Sequence, residues 1–307
     1  MMSSQKTLKS SSKAQAQKVS PWWVIIASAV LLFALFFAWP SFAQTSLKAP
    51  LKEGQQNIRY DVYAGGIHAL EANLNIDLSQ SDRYSTSLTA KTYGLLGKLA
   101  PWKGTFESHG WREGNALQTE KHLTTTTWRD DNEVKKYSYK QDGSFESFII
   151  TDDEENSKTR EVDAKLTDNS DDVLTATLKT MQAIATTGKC EGSSDVFDGK
   201  RRFQLIFEQQ NNVQLEASRW NVYGGPAVEC TAEVKPMGGK WHEKPRGWMS
   251  IQEQGRERGT MPTIWFAKVK EGEPAIPVKV RVKTSYGTLF MHVTKYNAAG
   301  KSLPSKK

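Results

Sequence analysis

Polar and apolar residues alternate with a period of two along most of the chain. In "HALEANLNIDL" (68–78), Leu70, Ala72, Leu74, Ile76 and Leu78 alternate with Glu71, Asn73, Asn75 and Asp77, which predicts a strand with one dry and one wet face. "IRYDVY" (58–63) precedes it across Gly65-Gly66, so the two predict a hairpin. "YSTSLTAKTY", "TFESHGW", "QTEKHLTTTTW", "VKKYSYK" and "SFESFII" follow between residues 84 and 150. Their Thr, Tyr and Trp content suits a pleated surface and resists helix. Strand patterns return after residue 199 in "KRRFQLIF", "NVQLEASRW", "AVECTAEV", "TIWFAKV", "PVKVRVKTS" and "GTLFMHVTKY".

One stretch keeps a different period. In "SDDVLTATLKTMQAIATTGK" (170–189), Leu174, Leu178, Met181 and Ala185 recur at helical spacing, with Ser170 as N-cap, Asp171 and Asp172 at the positive end of the dipole and Gly188 as the stop. Many short strands and one helix predict a mainly β fold: a large curved antiparallel sheet or partly open β-barrel with one covering α-helix. The patterning places a single β-rich domain at 56–296, a flexible segment at 44–55 and a mobile tail at 297–307.

Ahead of the domain lies an apolar run from Trp22 to Trp39, preceded by Lys6, Lys9, Lys13 and Lys18 and followed by Pro40 and "SFA". A basic start, an apolar middle and a small-x-Ala exit describe a secretory signal over residues 1–43, cleaved before Gln44. The run is also close to the ~20 residues that span a bilayer, so an uncleaved anchor is the second reading. Both export the domain, to the periplasm, and membrane contact is expected only through this segment if it is retained. Loss of the four lysines takes the net charge from +7 to +3, which removes most of the basis for a nucleic-acid partner.

The two cysteines, Cys190 and Cys230, both fall in the exported part. An even count in an oxidising compartment predicts one disulfide, with two buried free thiols as the alternative. It would pin the helix to the sheet.

"VFDGKRRFQLIF" (196–207) sets three consecutive cations after an Asp198-Gly199 turn. Phe203, Leu205 and Phe207 share one strand face with Arg201, whereas Lys200, Arg202 and Gln204 share the other. The cations therefore form no single phosphate or nucleic-acid patch. Arg201 is expected either to meet a carboxylate or the sheet rim, or to face an anionic head group in an apolar groove. "YGLLGKLAPWKG" (93–104) is apolar but punctuated by Gly94, Gly97, Pro101 and Gly104, so it reads as a rim loop or short helix. Leu95, Leu96, Leu99 and Trp102 then either cap the core or touch a lipid or partner. The five histidines are scattered. His109 and His122 could meet across neighbouring strands, but no H-E-x-x-H or G-x-S-x-G occurs, "WHEKP" (241–245) is interrupted by Pro245, and "GRERG" (255–259) reads as a turn. No catalytic, metal or cofactor site is expected.

The segments "YDVYAGGIHALEANLNI", "TYGLLGKLAPWKGTFESHGW", "KCEGSSDVFDGKRRFQL" and "GRERGTMPTIWFAK" resemble a widespread family of exported proteobacterial proteins, domain of unknown function 3108, over most of residues 56–295. The resemblance implies a periplasmic or envelope-facing β-domain and transfers no catalytic residue. The expected role is a non-catalytic β-domain that binds an amphipathic envelope component, a lipid or lipoprotein acyl chain, in its concave face. The alternative is an assembly protein that binds another envelope protein through a sheet edge.

Overall fold

A computed structural model describes residues 50–152, 156–244, 248–284 and 287–304. The signal or anchor segment at 1–43 lies outside the described residues. Among them, no helix is long and apolar enough to cross a membrane.

The first half of the domain is a meander: β1 (Gln55–Ala64), β2 (Ile67–Asp77), β3 (Arg83–Thr92), helix α1 (Gly94–Leu99), β4 (Trp102–Glu113), β5 (Ala116–Trp128), β6 (Asp131–Tyr139), β7 (Phe145–Thr151) and β8 (Ser157–Thr159). Helices α2 (Ala164–Thr167) and α3 (Val173–Thr187) follow. The second half comprises β9 (Gly192–Phe197), β10 (Arg201–Leu215), β11 (Gly225–Gly239), helix α4 (Trp248–Glu257), β12 (Thr263–Ala267), β13 (Ile276–Thr284), β14 (Gly287–Ala298) and β15 (Lys301–Leu303). All of the strands join one 15-stranded sheet in the order β8 to β1, then β14 to β9, with β15 on β14. The two halves therefore meet where β1 pairs antiparallel with β14, Tyr60 opposite Val293 and Val62 opposite Met291.

The sheet bends at bulges, among them Arg59/Tyr60, His109/Gly110 and Trp265/Phe266, each of which adds local twist. Its flanks come together without a continuous ladder. Tyr137, Tyr139 and Phe148 from β6 and β7 pack on Phe197 of β9, and the Tyr137 hydroxyl donates to the Phe197 carbonyl at 2.9 Å. Asp171 adds a single parallel bridge to Val196. The result is a partly open barrel whose seam is aromatic.

The core lies on the inner face, where Ile58, Tyr60, Leu74, Ile76 and Tyr296 meet Leu178, Met181 and Ile184 of α3. Gly188 ends α3 in the left-handed region at φ 71°, a conformation open to glycine at little cost. Two residues later, Cys190 is disulfide-bonded to Cys230 on β11, with the Cα atoms 6.2 Å apart.

Several sequence expectations need correction. The α3 N-cap is Asp172, whose side chain accepts from Leu174 and Thr175 N–H; Ser170 donates instead to the Thr167 carbonyl. A second helix, α4, takes in Gly255–Glu257 of "GRERG", and the expected turn is confined to Arg258 and Gly259, the latter at φ 62°. The inward residue of α4, Gln252, is polar and fully buried, and its amide bonds both N–H and C=O of Val234, so it leaves no apolar periodicity. "NVQLEASRW" is not a separate strand: Asn212–Leu215 continue β10. The tail from residue 297 is structured as far as Leu303, because Gly300 at φ 64° turns β14 into β15. The described end of the segment expected to be flexible is also tied down: Gly54 N–H donates to Glu273 at 2.9 Å and its carbonyl accepts from Leu78.

The Cys190–Cys230 bridge spans 40 residues, so loop-closure entropy assigns it about 4 kcal/mol. Urea denaturation of Cys190→Ser/Cys230→Ser is expected to show that loss. A loss below about 1 kcal/mol would mean that α3 is held without the bridge.

Candidate functional site

α3 is fixed at its start by a buried carboxylate. Asp172 is fully buried. Its Oδ1 accepts from Leu174 N–H at 2.8 Å, Thr175 N–H at 3.0 Å and Ser108 Oγ at 2.6 Å. Its Oδ2 accepts from Thr119 Oγ1 at 2.9 Å and Thr175 Oγ1 at 2.5 Å. His122 Nδ1 lies 3.2 Å from Oδ1 and 2.8 Å from Ser108 Oγ. Burial alone would raise the Asp172 pKa, but the hydrogen bond and charge of His122, with the Ser108 and Thr175 hydroxyls, hold it well below the usual carboxylate range.

Ser108, His122 and Asp172 are the residue types of a hydrolytic triad in the wrong arrangement. Serine and carboxylate both meet Nδ1, whereas Nε2 is 3.1 Å from Thr124 Oγ1; a triad needs serine on the nitrogen opposite the carboxylate. All three side chains are buried and closed to solvent. The cluster is a clamp between β4, β5 and α3. His109 takes no part, since Ser108 faces His122 while His109 faces Lys121, which puts the two histidines on opposite faces.

From the clamp, α3 runs toward the β1 entry, where Met181 C=O accepts from Ala275 N–H. Toward α1 it leaves the inner face of β2–β5 only partly covered. There the inward positions Leu70, Trp102, Phe106 and Thr126 are half-buried, Leu88 and Ala90 are half-buried but still pack on the main core, and Ile76 and Thr86 in the clamp's own row are buried. Gly104 shapes this floor: a Cβ there would come 2.8 Å from the Trp102 ring and 3.0 Å from the Phe106 ring, so only glycine lets both rings lie against the sheet. Trp102 stands opposite Trp128 in the β4–β5 register.

The rim of this floor is α1, none of whose residues is buried; Leu95, Leu96 and Leu99 are 71, 40 and 60% exposed. The structure brings Leu95, Leu96, Leu99 and Trp102 together at one rim and leaves Arg201 out. Arg201 sits on β10, paired bidentately with Asp198 Oδ2 at 2.7–2.9 Å and stacked 4.6 Å over Trp241. Arg202, on the other face, bonds Asp195, Lys165 C=O and Asp168 C=O. Both arginines are engaged in holding their turn and the neighbouring α2 segment.

The opposite face carries an aromatic groove that alternation alone does not reveal. Tyr63 stacks on His68, His68 meets Tyr93 at 4.1 Å, and Trp220 packs edge-on against Tyr63 at 4.9 Å. Two strands and two connecting segments supply these rings, so no local motif signals them. Beside them, Asp61, His68 and Glu71 form the one group of metal-capable donors within 4.8 Å among the described residues. Glu71 is already bound by Arg59 at 2.6 Å and Lys91 at 3.5 Å, which gives its charge to ion pairs.

The model of the family described as "Protein of unknown function (DUF3108)" matches residues 59–294. The chain belongs to the DUF3108 family. The match opens within β1 and closes within β14, the pair at the middle of the sheet, so it takes in every strand, in whole or in part, except β15. Among curated proteins no relative matches the sequence. Among solved structures, the crystal structure of a β-barrel-like protein of domain of unknown function DUF1849 from Brucella abortus is similar at 9% identity and a TM-score of 0.43, over 80% of this chain and 98% of that one.

Asp172→Ala is expected to cost about 3–5 kcal/mol, because it leaves several buried donors unsatisfied. The folded-state pKa of Asp172 lies below the unfolded value of about 3.9. Its contribution is therefore present above that pH and is lost as pH falls toward the folded value. Urea melts between pH 2 and 6 should show this acid limb in the parent and a flatter one in Asp172→Asn.

Proposed function

We propose that this DUF3108 chain is an exported, non-catalytic binding protein that holds the apolar part of an amphipathic envelope component, a lipid or lipoprotein acyl chain, on the partly covered inner face of β2–β5. The carrying observation is that half-covered floor: Leu70, Trp102 and Phe106 face the barrel interior and keep accessible surface, next to Leu88 and Ala90, which join them to the main core. Apolar surface left open inside a concave wall favours an apolar guest at about 25 cal/mol per Å2 buried. The Cys190–Cys230 disulfide supports an oxidising compartment such as the periplasm, in line with the signal-like start of the sequence. The clamp geometry supports a non-catalytic role.

The sheet-edge alternative is less well supported. One edge strand, β8, has three residues, and the outer edge of β9 is occupied at Val196 by Asp171. Short or covered edges template poor strand addition.

Lipid extraction and native mass spectrometry of the purified domain are expected to find an acyl-bearing species, and a fluorescent fatty acid to bind with about one-to-one stoichiometry. Thr126→Phe, which fills the floor from its β5 side at a half-buried position opposite Gly104, should abolish both with the thermal midpoint shifted by less than a few degrees. A parent protein that carries no lipid and binds no probe overturns the reading.

A further inference from the structure

We propose that α1 and its flanks form an interfacial wedge that docks the barrel's open rim on an anionic lipid surface. The inference rests on the apolar carriage reading only for its purpose; its geometry stands apart. Leu95 and Leu99 are 71 and 60% exposed on a helix that buries nothing, so folding gives no reason for leucine at either position. Ile67, 70% exposed at the start of β2, and Trp128, 49% exposed at the end of β5, extend the same rim. The wedge is held firmly. The Tyr93 N–H donates to the Ala69 carbonyl at 2.9 Å, the Tyr93 ring lies 4.1 Å from the His68 ring, and Thr92 Oγ1 bonds the backbone of Ala100 and Trp102.

Charge selects the occupant. Residues 89–106 carry Lys91, Lys98 and Lys103 and no carboxylate. Lys98 and Lys103 make no ion pair among the described residues, while Lys91 shares Glu71 with Arg59. The nearby carboxylates are matched by further cations: Glu71 is held by Arg59 and Lys91, and Asp130 and Asp131 share the β5–β6 turn with Arg129, whose N–H donates to the Pro101 carbonyl beside α1, so the rim keeps a net positive charge. Exposed leucines between aromatic rings and unpaired lysines match an interface where acyl chains lie beneath phosphate, and each lysine near an anionic surface adds attraction that salt screens. The expected contact is therefore peripheral and separate from the N-terminal apolar segment.

The test uses the chain from residue 44 onward, which lacks that segment, and flotation with vesicles of phosphatidylcholine alone or with 30% phosphatidylglycerol. Binding is expected to the anionic vesicles, to weaken at least tenfold between 50 and 500 mM salt, and to fall about tenfold for each of Leu95→Asp and Leu99→Asp. Lys98→Glu/Lys103→Glu should lose the preference for phosphatidylglycerol. These positions are exposed, so thermal midpoints should stay within a few degrees of the parent. Equal binding by the Leu95→Asp/Leu99→Asp variant, or no binding by the parent, overturns the wedge. Fatty-acid probe binding without vesicles separates the two readings: a parent that binds probe but not vesicles loses the wedge alone, and one that binds vesicles but not probe loses carriage alone.

Discussion

A carboxylate withdrawn from water must be given hydrogen bonds from every side, and Asp172 receives them from β4, β5 and the first turn of α3. A buried charge left partly unmatched costs several kcal/mol, so α3 has one acceptable starting point on the inner face. At its other end the chain leaves α3 through Gly188 and is bonded to β11 by Cys190–Cys230. With both ends fixed and a length of 15 residues, about 22 Å at 1.5 Å per residue, the helix covers one end of the concavity and leaves the other partly open.

The partly open end owes its shape to small-scale sterics. Gly104 lets Trp102 and Phe106 lie flat, which keeps the floor apolar and low. Its threonine neighbours on β5 pair with β6 residues such as Lys135 and Glu133, so the floor becomes polar away from β2–β4. An occupant with one oily and one polar side fits that gradient better than a wholly apolar one.

Alternation made most strands legible, including the hairpin across Gly65-Gly66 and the Val278–Val282 strand, because a half-buried sheet imposes a period of two. α3 was legible for the matching reason at a period near 3.6. α4 was not, since its buried contact is the amide of Gln252 rather than an apolar stripe. The N-cap was misplaced by two residues because three successive capping-type side chains stand at 170–172 and only tertiary partners choose among them. At the rim, the exposure of Leu95 and Leu99 follows from the punctuating glycines, but the floor behind them is assembled from four strands. Of the two roles open to Arg201 in sequence, space selects the carboxylate pairing, because Asp198 sits three residues earlier across the turn.

The pairing of β1 with β14 sets the order in which this sheet can be completed. Tyr296 donates to Gln56 across 240 residues of sequence, so the second strand edge of β1 stays vacant until nearly the whole chain is present. The meander from β1 to β8 can zip up from local contacts, but its exposed β1 edge is then a template for intermolecular pairing until the last long strand arrives. Aggregation during biogenesis is thus concentrated at a single edge and a single interval, which is where a chaperone holding this chain would need to act.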